Sequence, residues 1–153
     1  MTDGSLIIGD DGQEYKVFHS HDGLGMKLLN KTDVKMAIIT GRASNVVKIR
    51  AETNHITHCY QGVEDKGLAF DDLINQLGIS PDEAAFMGDD IVDIPPMRKC
   101  GLAITVPTAQ TAVKPYAHYI TNSQAGKGAI REVCELIMTA QHTFDTVTSK
   151  YFQ

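Results

Sequence analysis

Phe86-Met87-Gly88-Asp89-Asp90-Ile91-Val92-Asp93 decides the reading of this chain. The apolar run Ala84-Ala85-Phe86-Met87 climbs to a glycine and then meets Asp89, Asp90 and Asp93. A short apolar run bounded by Gly reads as a buried parallel strand that ends at the sheet's carboxyl edge, where open α/β sheets hold their ligands. Three carboxylates crowded there repel one another unless something cationic lies among them. A hard divalent cation with oxygen ligands is the natural answer, and Mg²⁺ beside phosphate is its commonest form. The competing reading is a solvated acidic turn capping the next helix. On this stretch alone the two stand level.

Working outward, polar clusters follow two earlier segments. Val34 to Ile39 is an apolar run rich in β-branched residues, and it ends in Thr40-Gly41-Arg42. Ile56 to Tyr60 is a weaker strand, followed by Gly62-Val63-Glu64-Asp65 and Lys66. Leu68, Phe70, Leu73, Ile74 and Leu77 then recur at helical spacing until Gly78, a helix stop. Ser44 is a candidate cap for a helix that carries Val46, Val47 and Ile49 inward and Lys48 and Arg50 outward. Ser80-Pro81-Asp82-Glu83 has the composition of a cap and first turn.

At the N-terminus, Leu6-Ile7-Ile8, Gly9-Asp10-Asp11-Gly12 and Tyr15-Lys16-Val17-Phe18 read as a β-hairpin. His19-Ser20-His21-Asp22-Gly23 reads as a polar loop, and Met26, Leu28 and Leu29 as a short helix closed near Asn30. Beyond the organising stretch, a Pro-containing helix over 94–100 precedes a strand over 102–106. A helix over 109–116, a strand at Tyr119-Ile120 and a long amphipathic helix from Gly128 to about Gln141 complete the pattern. Strands alternating with helices predict a Rossmann-like parallel sheet with helices on both faces, plus the N-terminal hairpin. The expected organisation is a single domain, with the hairpin over 1–20, the α/β core over 21–141 and a tail over 142–153.

Composition narrows the function. With 153 residues the chain can bury roughly 68–70% of its unfolded surface. A formal charge of −5 argues against nucleic acid as the main partner, since a phosphate backbone asks for clustered Lys and Arg. A small phosphorylated ligand needs only a local cationic pocket. Cys59, Cys100 and Cys134 lack metal-knuckle spacing and read as reduced thiols of a cytoplasmic protein. No long apolar segment or signal pattern points to membrane or export.

Phosphoryl transfer asks a protein mainly for positioning and charge stabilisation. A hydroxyl such as Thr40 and the amides after it can hold phosphate oxygens. A lysine such as Lys66 can neutralise charge building on the phosphoryl group, and carboxylates such as Asp89 can hold Mg²⁺. Singly, each has a plainer reading: Lys66 as a solvated helix-start lysine, Thr40 as a turn residue. Together, at successive strand ends, they favour function. Response-regulator receivers place the acidic pair first and the lysine last, the reverse of the order here.

The order hydroxyl, lysine, acidic pair resembles the haloacid dehalogenase superfamily. Several stretches narrow it: Thr2-Asp3-Gly4, Phe18 with Asp22-Gly23-Leu24-Gly25, and Ile38-Ile39-Thr40-Gly41-Arg42. Gly62 with Asp65-Lys66, Met87-Gly88-Asp89-Asp90 with Asp93, and Gly128-Ala129 with Arg131-Glu132-Val133 join them. In combination they resemble the 3-deoxy-D-manno-octulosonate 8-phosphate phosphatases over nearly the whole chain.

That resemblance implies a cytoplasmic, Mg²⁺-dependent sugar-phosphate phosphatase of lipopolysaccharide synthesis. Thr40 would match the phosphate-binding hydroxyl and Lys66 the phosphate-stabilising lysine. Asp89, with Asp90, would hold the metal, and Asp93 would orient its neighbours. His19, Ser20, His21, Asp22 and Gly23, with Lys27, Arg42, Arg50 and Lys66, would match the sugar-phosphate-binding set. The resemblance also implies homotetramers in which hairpins pack together and the C-terminal segment reaches a neighbouring subunit's site.

In the family an apolar strand ending Asp-x-Asp-Gly-Val directly precedes the Thr-Asp-Gly that stands here as Thr2-Asp3-Gly4. Its first Asp is the nucleophile and its second the general acid/base. The chain begins at Met1, so the resemblance implies that this central strand and both carboxylates lie upstream. A start placed at an internal methionine, or a truncated gene, is the expectation. His21 stands where many relatives carry Arg, and Ala125 replaces the first of a glycine pair. Two other readings stay open: an inactive Mg²⁺-binding or oligomerisation module, and a phosphatase-like domain of a sialic-acid pathway enzyme.

Overall fold

A computed structural model describes residues 1–153. The strands are β1 (Ile7–Ile8), β2 (Glu14–Tyr15), β3 (Ala37–Ile39), β4 (His58–Tyr60), β5 (Ala85–Met87), β6 (Leu102–Thr105) and β7 (Tyr119–Ile120). The helices are α1 (Ser20–Leu29), α2 (Asn45–Thr53), α3 (Lys66–Leu77), α4 (Ile94–Met97), α5 (Ala129–Ala140) and α6 (Phe144–Thr148). This is the α/β alternation that the sequence predicts. The strands form three sheets: the β1–β2 hairpin, the pair β3–β4, and β5–β6–β7, which is parallel throughout. No helix is long and apolar enough to cross a membrane.

The chain gathers into two compact units. One comprises residues 1–37, 44–59 and 123–153; the other comprises 38–43 and 60–122. The first is a helical layer with the hairpin. Its core holds Met26, Leu28 and Leu29 of α1, Val47 and Ala51 of α2, and Ala129, Val133, Cys134 and Met138 of α5. Gly25 lets α1 and α5 approach closely, because a Cβ there would lie 2.9 Å from Arg131 Cδ and 3.0 Å from its Cα. The buried Asp22 carboxylate accepts a 2.9 Å bond from the Arg131 backbone N–H at the start of α5. It thereby satisfies one of the amides that every helix start leaves unpaired.

The second unit holds the organising stretch. Phe70 and Ile74 of α3, Met97 of α4, Ala103 of β6, Cys100 and Val113 form one buried cluster, with Ile39, Phe86 and Ile94 packed against it. The Phe70 and Phe86 rings meet edge to face with centroids 6.1 Å apart. Asp65 caps α3 through bonds from the Gly67 and Leu68 N–H groups at 2.8 and 3.0 Å, and Gly78 ends it in the left-handed conformation at φ 65°.

Several local expectations are corrected. His19–Gly23 is not a loop: α1 begins at Ser20, and Asp22 and Gly23 are buried within it. The polar composition hid a helix whose acidic residue serves a neighbouring helix. Ile49 and Leu68 point to solvent at 54% and 66% exposure, whereas Arg50 turns inward. Its guanidinium lies 4.9 Å from the Phe18 ring centroid and donates to His19 O at 3.2 Å, a use of the long side chain that periodicity does not reveal. The helix expected over 109–116 is a run of turns ending in one 3₁₀ turn, Lys114–Tyr116, with Pro115 inside it. A prolyl ring removes a donor and restricts the residue before it.

Candidate active site

The site is built on the carboxyl end of β5. Gly88 N–H donates to Ile104 O at 3.1 Å, which holds the strand end in the parallel ladder, and Thr105 Oγ1 donates to Gly88 O at 2.7 Å from the buried side. The chain then turns sharply enough that Asp93 reaches back over it. Asp93 Oδ2 accepts the Asp89 and Asp90 N–H groups at 3.0 and 3.1 Å, and its Oδ1 pairs with Lys66 Nζ at 2.6 Å. Asp93 is 3% exposed, so its charge is held by these three donors rather than by water. Gly88 is required sterically. A Cβ there would lie 2.2 Å from Asp93 Cβ and 2.5 Å from its Cγ.

Lys66 opens α3 and is half-buried. Asp93 aims its ammonium group toward the β5 edge, next to Asp89. Desolvation first, and the neighbouring Asp93 charge second, push the Asp89 carboxyl above the usual carboxylate range, with Lys66 opposing the shift. A carboxylate whose charge its surroundings leave under-compensated is one a cation would stabilise. Asp90 is exposed and its Oδ1 accepts the Ile91 N–H at 2.7 Å, closing the 3₁₀ turn Ile91–Asp93. Thr40 N–H donates to Tyr60 O at 2.9 Å and Thr40 O accepts the Val63 N–H at 3.1 Å, which ties Thr40 to the loop leading into Lys66. Arg42 N–H donates to Thr40 Oγ1 at 3.3 Å, a turn that sets one amide against the hydroxyl.

These residues fit Mg²⁺. No three His, Cys, Asp or Glu side chains converge on one point. Mg²⁺ asks for less, since it keeps several waters and is held by one or two carboxylates together with substrate phosphate. Asp89 offers such an oxygen, in the electrostatic setting that favours a cation.

Thr40, Arg42, Lys66, Asp89, Asp90 and Asp93 all belong to the second unit. The other residues expected to bind substrate belong to the first. His19 and His21 rings meet edge to face at 4.9 Å, Ser20 starts α1, and Asp22 and Gly23 are buried in it. Arg50 is held over Phe18, and Lys27 lines an open depression of about 430 Å³ with Asn30, Lys31 and His55. Sequence reading passed over Thr105, and it quoted Arg131 only within a family motif, with no role of its own. Both act through bonds to residues far away in the sequence, a kind of signal that spacing does not carry.

The haloacid dehalogenase-like hydrolase family model matches residues 29–133. The 3-deoxy-D-manno-octulosonate 8-phosphate phosphatase of Yersinia pestis is 42% identical over 97% of this chain and 79% of its own length. The crystal structure of that enzyme superposes with a TM-score of 0.93, covering 95% of this chain and 78% of that one. A Moraxella catarrhalis phosphatase of the same name, solved with a magnesium ion, a phosphate ion and a KDO molecule, gives a TM-score of 0.96 at 40% identity. The match covers 98% of this chain and 86% of that one. The chain belongs to the haloacid dehalogenase-like hydrolases and, among them, to the 3-deoxy-D-manno-octulosonate 8-phosphate phosphatase family.

Proposed function

We propose that this chain serves as a Mg²⁺-dependent phosphatase that converts 3-deoxy-D-manno-octulosonate 8-phosphate to the free sugar acid and phosphate, in the cytoplasm, for lipopolysaccharide synthesis. The observation that carries the reading is the Lys66–Asp93–Asp89 arrangement at the carboxyl end of β5. Magnesium, when bound, offsets phosphoryl charge and orients the phosphate. Asp89 holds it, with Asp90 beside it. Asp93 holds the Lys66 ammonium group in place for the phosphoryl oxygens. Thr40 and the amides that follow it receive the remaining oxygens, and Arg42 adds charge at the same edge. Ser20, His21 and Lys27, in the first unit, are proposed from the family resemblance alone as sugar-acid-binding residues, and within that unit Asp22 and Arg50 hold the segment that carries them.

A homotetramer formed through the hairpins is the proposed assembly. Its support is the row of exposed apolar side chains Leu6, Ile7, Ile8, Tyr15 and Val17, more than an isolated two-stranded hairpin keeps in water without a partner. Light scattering on the purified chain measures it, and a monomer at all concentrations would remove it.

These residues bind, neutralise and position, and covalent phosphoryl transfer also needs a nucleophile. The deciding assay uses the chain preceded, directly ahead of Thr2, by an apolar strand ending Asp-x-Asp-Gly-Val, the motif that the resemblance implies there. Phosphate release from the octulosonate phosphate is expected with Mg²⁺, to vanish with a chelator, and to fall by about 10³-fold or more in Lys66→Met. Turnover that prefers a nine-carbon sugar acid phosphate would reassign the substrate. No turnover of any sugar phosphate would defeat the proposal.

A further inference from the structure

A residue's backbone has only two soft dihedrals, so the peptide groups on either side of its Cα fix its orientation. Both peptide groups around Asp89 are held at both ends. Asp93 Oδ2 takes the two N–H groups, from Asp89 at 3.0 Å and from Asp90 at 3.1 Å. The two carbonyls are held from elsewhere in the same unit. Gly88 O accepts from Thr105 Oγ1 at 2.7 Å, and Asp89 O accepts the Gln110 N–H at 3.0 Å. With both planes fixed, only the side-chain torsions of Asp89 stay free.

The donors stand on a firm platform. β6 lies between β5 and β7, and its Ala103, Ile104 and Thr105 are 0% exposed. Thr105 O accepts the Thr121 N–H at 2.9 Å, which ties its backbone to the β7 side. Beyond β6, Ala109 and Val113 are buried, and Gln110 O accepts the Val113 N–H at 3.0 Å. Thr105 carries the only polar side chain in β6. A buried hydroxyl is costly unless it is bonded, and valine suits the interior of a parallel sheet without that cost. The β5–β6 register ends at Met87 and Ile104. The hydroxyl therefore meets the carbonyl that links this ladder to Asp89.

We propose that Thr105 is a positioning residue for Asp89, its hydroxyl setting the peptide plane from which the carboxylate meets Mg²⁺. Asp93 by itself holds only the N–H end of that plane. Without the hydroxyl the Gly88 carbonyl loses its partner, and the plane is free to rock about the Asp93 contact. A metal held by one or two protein carboxylates depends on how firmly each is presented, and groups behind the ligand set that firmness. The metal's part in this rests on the phosphatase reading, whereas the clamp on Asp89 does not.

The test compares Thr105→Val, which keeps the branched shape and loses the hydroxyl, with Thr105→Ser, which keeps the hydroxyl and loses the methyl. Packing alone ranks serine as the worse variant, and positioning ranks valine as the worse. In the metal-free 153-residue chain, amide hydrogen exchange at Asp89 is expected to speed about 10-fold in Thr105→Val and less than about 3-fold in Thr105→Ser. Titrated with magnesium chloride in a calorimeter, Thr105→Val is expected to bind about 10-fold more weakly, and Thr105→Ser within about 3-fold of the parent. Ile74→Val, which thins the buried core of the same unit, should lower the melting temperature and move neither readout. Unchanged exchange in Thr105→Val, equal effects of valine and serine, an equal effect of Ile74→Val, or faster exchange with unaltered Mg²⁺ affinity would overturn the positioning role. A parent chain that takes up no Mg²⁺ would count against the phosphatase reading instead, and exchange at Asp89 would still decide whether Thr105 positions that residue.

Discussion

Lys66 Nζ lies 2.6 Å from Asp93 Oδ1, while the other oxygen of the same carboxylate takes the Asp89 and Asp90 N–H groups. One buried side chain thus fixes both the Lys66 ammonium group and the backbone that presents Asp89. Replacing Asp93 with Ala leaves the Lys66 ammonium group and two amides unanswered. The expected cost is about 3–5 kcal/mol, read from urea unfolding, with loss of Mg²⁺-induced stabilisation. Asp93→Asn keeps one acceptor and is expected to cost about 1–3 kcal/mol.

Gly88→Ala tests whether the turn or the charge matters. The added methyl falls 2.2 Å from Asp93 Cβ, so Asp93 must move even though no ionisable group has changed. The expectation is a loss of about 1–3 kcal/mol together with weakened Mg²⁺ binding, measured by calorimetry. Unaltered Mg²⁺ affinity in a folded Gly88→Ala protein would contradict the assigned geometry.

Asp89 makes a prediction of opposite sign. Its folded carboxyl titrates above the unfolded value, because of desolvation first and Asp93 second. The folded state therefore holds the proton more tightly, and Asp89's contribution to stability is fully present below the unfolded pKa. It is lost as pH rises through the folded pKa. At neutral pH, without metal, Asp89→Asn should raise the melting temperature slightly. The gain is less than about 1 kcal/mol because solvent screens this exposed carboxylate. The variant should also lose the melting-temperature increase that Mg²⁺ gives the parent chain.

Asp22 is 1% exposed, and its Oδ1 anchors the Arg131 amide at the start of α5. Asp22→Ala is expected to cost about 1–3 kcal/mol in urea unfolding, because a half-buried helix-start amide loses its partner. The same change at exposed Asp10 should cost nothing measurable.

Thiol labelling reports packing in each unit, through Cys59 and Cys134 in the first and Cys100 in the second. Burial, with the Asp22 charge adding to it, pushes the Cys134 thiol up to about 12, so almost no thiolate exists at neutral pH. A thiol reagent should label half-buried Cys59 first, and Cys100 and Cys134 only after denaturant is added. Rapid labelling of Cys134 in the native protein would mean that α5 does not pack as described.

The order of elements was legible because apolar period and glycine punctuation are local. Val34–Ile39, Leu68–Gly78 and Ala84–Gly88 each announce a segment, although β3 proved shorter than its apolar run. The polar cluster at each strand end was legible for the same reason. What spacing could not convey was direction. Arg50 reads as a solvent-facing residue until Phe18 and the His19 carbonyl are placed beside it. His19–Gly23 reads as loop until Arg131, more than a hundred positions away, uses Asp22.

The amino-acid sequence by itself determined the α/β alternation and the family, and it placed a polar cluster at each strand end, since these follow from residue type and short-range order. Tertiary structure alone decided that Asp93 serves Lys66 and the Asp89 amide at once, and that Arg50 turns inward onto Phe18. Those are outcomes of which side chain and which peptide group find a partner across space. Pairing energies between distant segments leave no trace in the spacing of neighbours along the chain.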